Sequence, residues 1–404
     1  MGTDLLAPGP EGPPAAPPPG GRRTRVAVLV GTVVAAVGIV AGGAPASAEV
    51  IAVSTTADGG AGSLRAAFAQ ASGNAEADEI VLQPGATYLL DDCAEGDLDH
   101  TAADDLTLTG NGATIEQTCA GERVVESDSD LALVEVTLTG GDAAGALGGG
   151  VEADTSSVTA TRVTVRGNGA STGGGIAAIR VTLTESTVSG NSATSTGGGV
   201  WADQTVDAVN TTLAGNEAGA SGGGVVVVND TATLTDVTLA GNTAPSGANV
   251  ELQPGSDALV AFGTVVADPT GGTDCAVAPG AVTTSLGSNL DSDGTCGFGA
   301  GPADQPGAGD PLLGPLGAEG GPTETRVPQP GSPLLDTAVC ADAPVAVPTD
   351  QRGVARPQGP ACDVGAVEVE VVAPPDPGPG PPVADDPPSA PPAAPVAAAA
   401  TFTG

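Results

Sequence analysis

The chain has 404 residues, 63 of them Gly and 36 Pro, only 1 % aromatics, and a formal charge of −37 from 48 acids against 11 basic residues. That charge repels nucleic acid and anionic membrane, so neither is expected as a partner. The scarcity of rings leaves Val, Leu, Ala and Ile to build any core. All the basic residues are arginine. The acid excess reads as solubility or as cation screening at high ionic strength, with a polyanionic binding face as the sharper alternative.

In chain order, the first element is an export signal. Residues 22–50, RRTRVAVLVGTVVAAVGIVAGGAPASAEV, join an arginine-rich start to a long apolar run and the small-residue pattern Ala46-Ser47-Ala48. This predicts a signal peptide with a Pro-rich N-terminal extension over 1–48, cleaved after Ala48. The general and twin-arginine routes both stay open, and an uncleaved anchor is the alternative. No stable membrane span is expected in the mature chain. The expected location is therefore secreted, extracellular or cell-surface.

Residues 49–80 form the expected N-terminal cap. GSLRAAFAQAS (62–72) offers Ser63 as N-cap and Leu64, Ala67, Phe68 and Ala71 at helical spacing, a short amphipathic helix suited to closing the end of a sheet. Ser63-Leu64-Arg65 and Ala67 resemble the CSLREA signature of secreted bacterial proteins, with Gly62 and Ala66 in place of its Cys and Glu. Six cysteines fall in neighbouring pairs, Cys93/Cys119, Cys275/Cys296 and Cys340/Cys362, and suit three local disulfides in an oxidising compartment. With His100 the only histidine, no zinc site is expected.

Residues 81–268 repeat. The phrase aliphatic-x-Gly-Asn ends at Asn111, Asn168, Asn191, Asn216 and Asn242, with LTGG (138–141) as a degenerate copy, at spacings of 30, 27, 23, 25 and 26 residues. Ten residues before the end points lie Leu131, Val158, Val181, Val206 and Ala232. Eight before lie Leu133, Ala160, Leu183, Ala208 and Leu234, and three before lie Leu108, Leu138, Val165, Val188, Leu213 and Leu239. This is strand alternation with one buried face. It slips by one residue between positions eight and five before the end, which predicts a corner. Gly148–Gly150, Gly173–Gly175, Gly197–Gly199 and Gly222–Gly224, together with the Asn end points, are expected at repeated turns. The fold expected is all-β: a single-stranded right-handed parallel β-helix, a pectate-lyase-like solenoid with two or three short strands per coil and a short N-terminal capping helix.

Two outward columns follow from this register. Thr107, Thr137, Thr164, Thr187, Thr212 and Thr238 are expected to form an exposed threonine ladder. Asp105, Glu135, Arg162, Glu185, Asn210 and Asp236 are expected to form a polar column. The repeats resemble those of polymorphic outer-membrane adhesins, with Val or Leu where the latter carry Phe.

Residues 269–370 resemble the choice-of-anchor Q region of secreted β-helix proteins. The agreement runs through Gly320-Gly321-Pro322-Thr323, Pro330-Gly331-Ser332-Pro333, Asp336, Asp350-Gln351-Arg352-Gly353 and Asp363-Val364-Gly365. The resemblance implies an extracellular β-helix without implying catalysis. Residues 371–404 read as a disordered Pro/Ala-rich tail.

No catalytic residue and no metal ligand is assigned. Asp105, Glu135 and Arg162 offer the carboxylates and base of a Ca²⁺-assisted polysaccharide lyase or hydrolase, but read more simply as a solvated face with an Arg162–Glu185 ion pair. The loop DDCAEGDLDH (91–100) has the oxygen donors of a Ca²⁺ site without a recognised ligand spacing. Trp201 is expected to point outward, where it would stack on a sugar ring or lie as a partly covered surface residue. Ligand contact is thus assigned to Trp201, Asp105 and Glu135, with a polysaccharide or cell-surface glycan as partner and no cofactor required. The function expected is non-catalytic adhesion or glycan binding, against a lyase or a structural spacer.

Overall fold

The computed structural model describes residues 48–74 and 76–370. The expected export signal, apart from Ala48, and the expected tail lie outside the described residues. The described residues up to Pro306 wind into a parallel β-solenoid of about ten turns with almost no helix. One continuous sheet carries most strands. A second sheet stacks Asp142–Leu147, Gly169–Thr172, Ser192–Thr196 and Glu217–Ala218 in parallel.

The aliphatic rows stack as their spacing requires. Leu131, Val158, Val181, Val206 and Ala232 are consecutive register partners, as are Leu133, Ala160, Leu183, Ala208 and Leu234. Leu138, Val165, Val188, Leu213 and Leu239 form the third row. All are 0–1 % exposed. Parallel strands about 4.8 Å apart bring like side chains into contact once per coil. These central rows of the core are thereby built from small aliphatics, and rings enter only outside them, as at Phe68, Tyr88 and Phe298.

The slip in alternation is a corner. Glu135, Arg162, Glu185, Asn210 and Asp236 all occupy the left-handed region, with φ between 46° and 53°. One left-handed residue turns the chain and reverses which parity points inward. Asn and Asp tolerate this conformation better than Glu and Arg do. The glycine triplets do both: the first of each, Gly148, Gly173, Gly197 and Gly222, takes a left-handed turn with φ between 60° and 70°. The next allows close approach, since a Cβ on Gly174 would stand 2.5 Å from the Gly198 carbonyl oxygen of the next coil.

Three expectations are corrected. In the first copy, Leu108 partners Leu133, and Ile115 is the residue that stacks on Leu138. LTGN (108–111) therefore sits one face earlier than its look-alikes, with Asn111 (φ 52°) and Gly112 (φ 78°) making the corner that Glu135 makes in the next coil. Thr107 and Asp105 leave their columns with it, and Thr114 takes the place given to Thr107.

Second, Asn168, Asn191, Asn216 and Asn242 do not adopt the left-handed turn themselves. The preceding glycine does so, as at Gly190 with φ 60°. The asparagines are at most 2 % exposed and form a ladder, each Nδ2 donating to the next Oδ1 at 3.0 Å across Asn168, Asn191, Asn216 and Asn242. Each Oδ1 from Asn191 to Asn242 also accepts the backbone N–H of the preceding asparagine, at 2.9–3.1 Å. Each Nδ2 also donates to a carbonyl of Leu138, Val165, Val188 or Leu213. The backbone thus fixes the orientation of every amide. The row continues through Asn249 to Asp274 Oδ1, at 2.7 Å for each step.

Third, the threonine ladder is not an exposed face. Thr187, Thr212 and Thr238 are 0–2 % exposed because residues 311–370 fold back across the coils and cover them. Gln351 is the centre of that contact. Its Nε2 lies within hydrogen-bond distance of four acceptors, Ser186 O, Thr187 Oγ1, Thr323 Oγ1 and Glu324 O, which its two hydrogens share, and its Oε1 accepts from Thr212 Oγ1 at 2.7 Å. Leu334, Ala338 and Val364 share an apolar cluster with Val265, Ala267 and Leu290 of the coils, so this region has no core apart from the solenoid's flank. The parallel ladder itself runs on to Gln305–Pro306, past the end of the sequence repeat.

The cap forms as expected. The helix spans Leu64–Ala71, Ser63 Oγ accepts from Ala66 N at 3.2 Å, and Leu64, Ala67, Phe68 and Ala71 are buried. Arg65 ties the helix to the 95–97 turn through the carbonyls of Asp97 and Gly96, at 2.7 Å each. The disulfides Cys93–Cys119, Cys275–Cys296 and Cys340–Cys362 all form and close loops of 26, 21 and 22 residues. Each such closure is worth roughly 3 kcal/mol.

Candidate functional site

The residues assigned to ligand contact fall on three separate rows. Asp105 is exposed at the start of the strand Leu106–Gln117, whereas Glu135 occupies the corner about one coil on. Trp201 partners Ala177 and Val226 on the strand row that follows the glycine triplets. It is half-buried there, the partly covered arrangement. Glu135 and Arg162 do come together: Arg162 donates to Glu135 at 2.8–2.9 Å and reaches Glu185 at 3.4 Å. The Glu135 hydrogen bond, with help from Glu185, holds Arg162 even more firmly protonated than usual. Two carboxylates sharing one guanidinium are charge-satisfied acceptors, about a third exposed.

This corner opens into a cleft on the flank of the coils. The cleft, of about 360 Å³, is lined by Asn111, Glu135, Thr137, Arg162, Thr164 and Pro322. Two further clefts, of about 200 and 490 Å³, continue along the coils over Thr137, Thr164, Arg166, Ser189 and Ala214. The far wall is the C-terminal region, whose antiparallel hairpin pairs Leu313–Gly317 with Thr325–Pro328. Leu316 and Glu324 belong to that wall. The cleft is thus the seam between the solenoid and its own C-terminal cover.

Two acidic groups have donors for a cation. Asp97, Asp99 and Glu126 bring carboxylate oxygens within 4.8 Å of one another, and two of the three belong to the acidic loop marked in the sequence. Burial and the neighbouring Asp97 charge push Asp99 up to about 6. Arg123 already supplies positive charge there, paired with Asp97, Glu126 and Glu152. His100, the last residue of this loop, is buried and structural, its Nε2 2.8 Å from Asp104 O and its Nδ1 3.3 Å from Ser72 Oγ.

The second group, Asp274, Asp291 and Asp293, went unmarked in the sequence reading. Its signal is Asp291-Ser292-Asp293-Gly294, alternating carboxylates before a glycine turn. Burial and the charges of Asp293 and Asp291 push Asp274 up to about 7. The cluster is internally satisfied: Asp274 accepts from Asn249, from Ser292 and from Asp293 N, and Asp291 accepts from Gly294 N and Cys296 N. It ends the asparagine ladder with an acceptor.

Among the described residues no helix is long and apolar enough to cross a membrane. Three disulfides favour an extracellular or otherwise oxidising environment. No family model, no curated protein and no solved structure matches the chain.

Proposed function

We propose that the protein is an exported, non-catalytic β-solenoid that contacts a polysaccharide or cell-surface glycan along its flank. The observation that carries this reading is the seam cleft, a long trough in which Glu135, with Glu185 behind it, is held on Arg162, so that Glu324 is left as a single lining carboxylate without an ion pair among the described residues and no acid and base face each other. Acid–base cleavage of a glycosidic bond needs a carboxylic acid and a free carboxylate facing each other across the substrate. Paired groups of this kind serve to hold a shape. The disulfides support export, and the motif agreement in the C-terminal region supports a place at the cell surface. The test is the purified chain on a glycan array together with turnover assays on acidic polysaccharides. Specific glycan binding without turnover is expected. Turnover that disappears in Glu135→Gln would replace this reading with the lyase or hydrolase, and a blank array would leave a structural spacer.

A further inference from the structure

We infer that the seam cleft takes an anionic linear polysaccharide, with the Arg166 guanidinium receiving its carboxylate or sulfate group; this rests on the glycan-contact reading above. Eight of the eleven arginines lie among the described residues. Six of these, Arg65, Arg123, Arg162, Arg326, Arg352 and Arg356, pair with a carboxylate of the chain. In a protein with 48 acids, an arginine left over is the exception. Among the described residues Arg166 has no acid partner and no side-chain hydrogen bond, and it is exposed. It also stands where two of the clefts meet, lining both. Arg180 is likewise exposed and unpaired, but lines none of these clefts.

The surroundings of Arg166 say what kind of ligand it would meet. Its row partners are Thr139 on one side and Ser189 on the other, followed by Ala214 and Ala240. The four rungs from Thr139 to Ala214 line the cleft, and at about 4.8 Å apart they make a floor about 14 Å long, the length of a short polymer segment. Hydroxyls lie at one end, and Gly190 and Gly215 keep the floor low towards the other. Leu316 and Pro322 in the wall give apolar edges for ring faces. Glu324 lines the cleft beside Arg166 without pairing with it. A ligand must therefore offer hydroxyl donors next to its anionic group, as a sugar acid or sugar sulfate does and a bare anion does not. The planar guanidinium fork matches either oxyanion.

The test titrates the full chain by calorimetry with three hexasaccharides: one of galacturonate, one sulfated and uronate-free, and neutral maltohexaose. Binding of at least one anionic probe above the neutral one is expected. Arg166→Ala should weaken it by about tenfold or more, Arg166→Lys by less, and Arg180→Ala not at all, with the circular dichroism of all variants unchanged. The first two probes separate carboxylate from sulfate. Undiminished anionic binding in Arg166→Ala overturns the assignment while the glycan reading stands. Preference for maltohexaose does the same. No binding to any of the three, with a blank glycan array, removes both.

Discussion

The asparagine ladder and the Gln351 contact are both buried rows of amide hydrogen bonds, yet they are built in opposite ways. In the ladder, each amide is satisfied by the same residue one coil on, 23 to 26 positions along the chain. At Gln351 the partners on the coils lie 139 to 165 positions away and none is a copy of it. A repeated contact spreads its burden, because each asparagine completes its neighbour. A single contact concentrates it, because one glutamine holds a whole region against the coils. Buried amides left without partners cost about 1–3 kcal/mol each, so both rows are sensitive to deletion. They differ in what else moves when one is cut.

The largest effect is expected from Asn216→Leu. It removes the acceptor of Asn191 N and Asn191 Nδ2 and the donor to Val188 O and Asn242 Oδ1. A loss of about 4 kcal/mol should appear as a lower urea midpoint for the whole molecule, since the coils share one core. Gln351→Ala should cost about 2–3 kcal/mol and act locally. Hydrogen exchange should rise over residues 311–370 while the asparagine rungs stay protected. Equal deprotection of both regions would erase the contrast.

Asp236 sharpens the comparison through pH. Burial pushes its carboxyl up to about 6 from the usual 3.8, with the Arg356 charge opposing and the Glu368 charge assisting. Between those values the folded chain holds a proton that the unfolded chain has released. The stability this group contributes is therefore complete below about pH 4 and is lost as pH rises through about 6. Asn suits the same left-handed corner, as Asn210 shows in the preceding coil. Asp236→Asn should then be more stable than the parent by roughly 2 kcal/mol at pH 8 and no different at pH 4, by thermal unfolding at the two values. The smallest effect is expected at the exposed corner: Arg162→Ala should change stability by less than about 1 kcal/mol.

What could be read from the letters follows the same division. The aliphatic rows, the corner at Glu135 and its successors, the capping helix and the cysteine pairs all rest on contacts within one coil or to the next. Their signals are local alternation and spacing. The Gly-Asn pairs misled in a local way too. They announce a tight turn without saying that glycine makes it and asparagine turns inward. At residues 108–111 the same phrase serves a different corner, and its spacing of 30, the longest of the series, was the only sign. The covered threonines were illegible for a different reason. Thr187 and Thr212 do point away from the coil, but the residues that bury them follow more than a hundred positions later with no matching pattern. The seam cleft inherits that difficulty, because one of its walls is this same distant segment.

All of these arguments depend on the register of neighbouring coils, which a cysteine pair reads directly. Thr182 and Asp207 are outward register partners, whereas Thr205 is the partner of Arg180. Adjacent partners fall within the Cα separation a disulfide spans, and a two-residue offset does not. In the doubly substituted chain, Thr182→Cys with Asp207→Cys should crosslink within the monomer, and Thr182→Cys with Thr205→Cys should not, as read by mass spectrometry of the digested protein. Efficient crosslinking of the offset pair, with none in the aligned pair, would contradict the stacked-coil account.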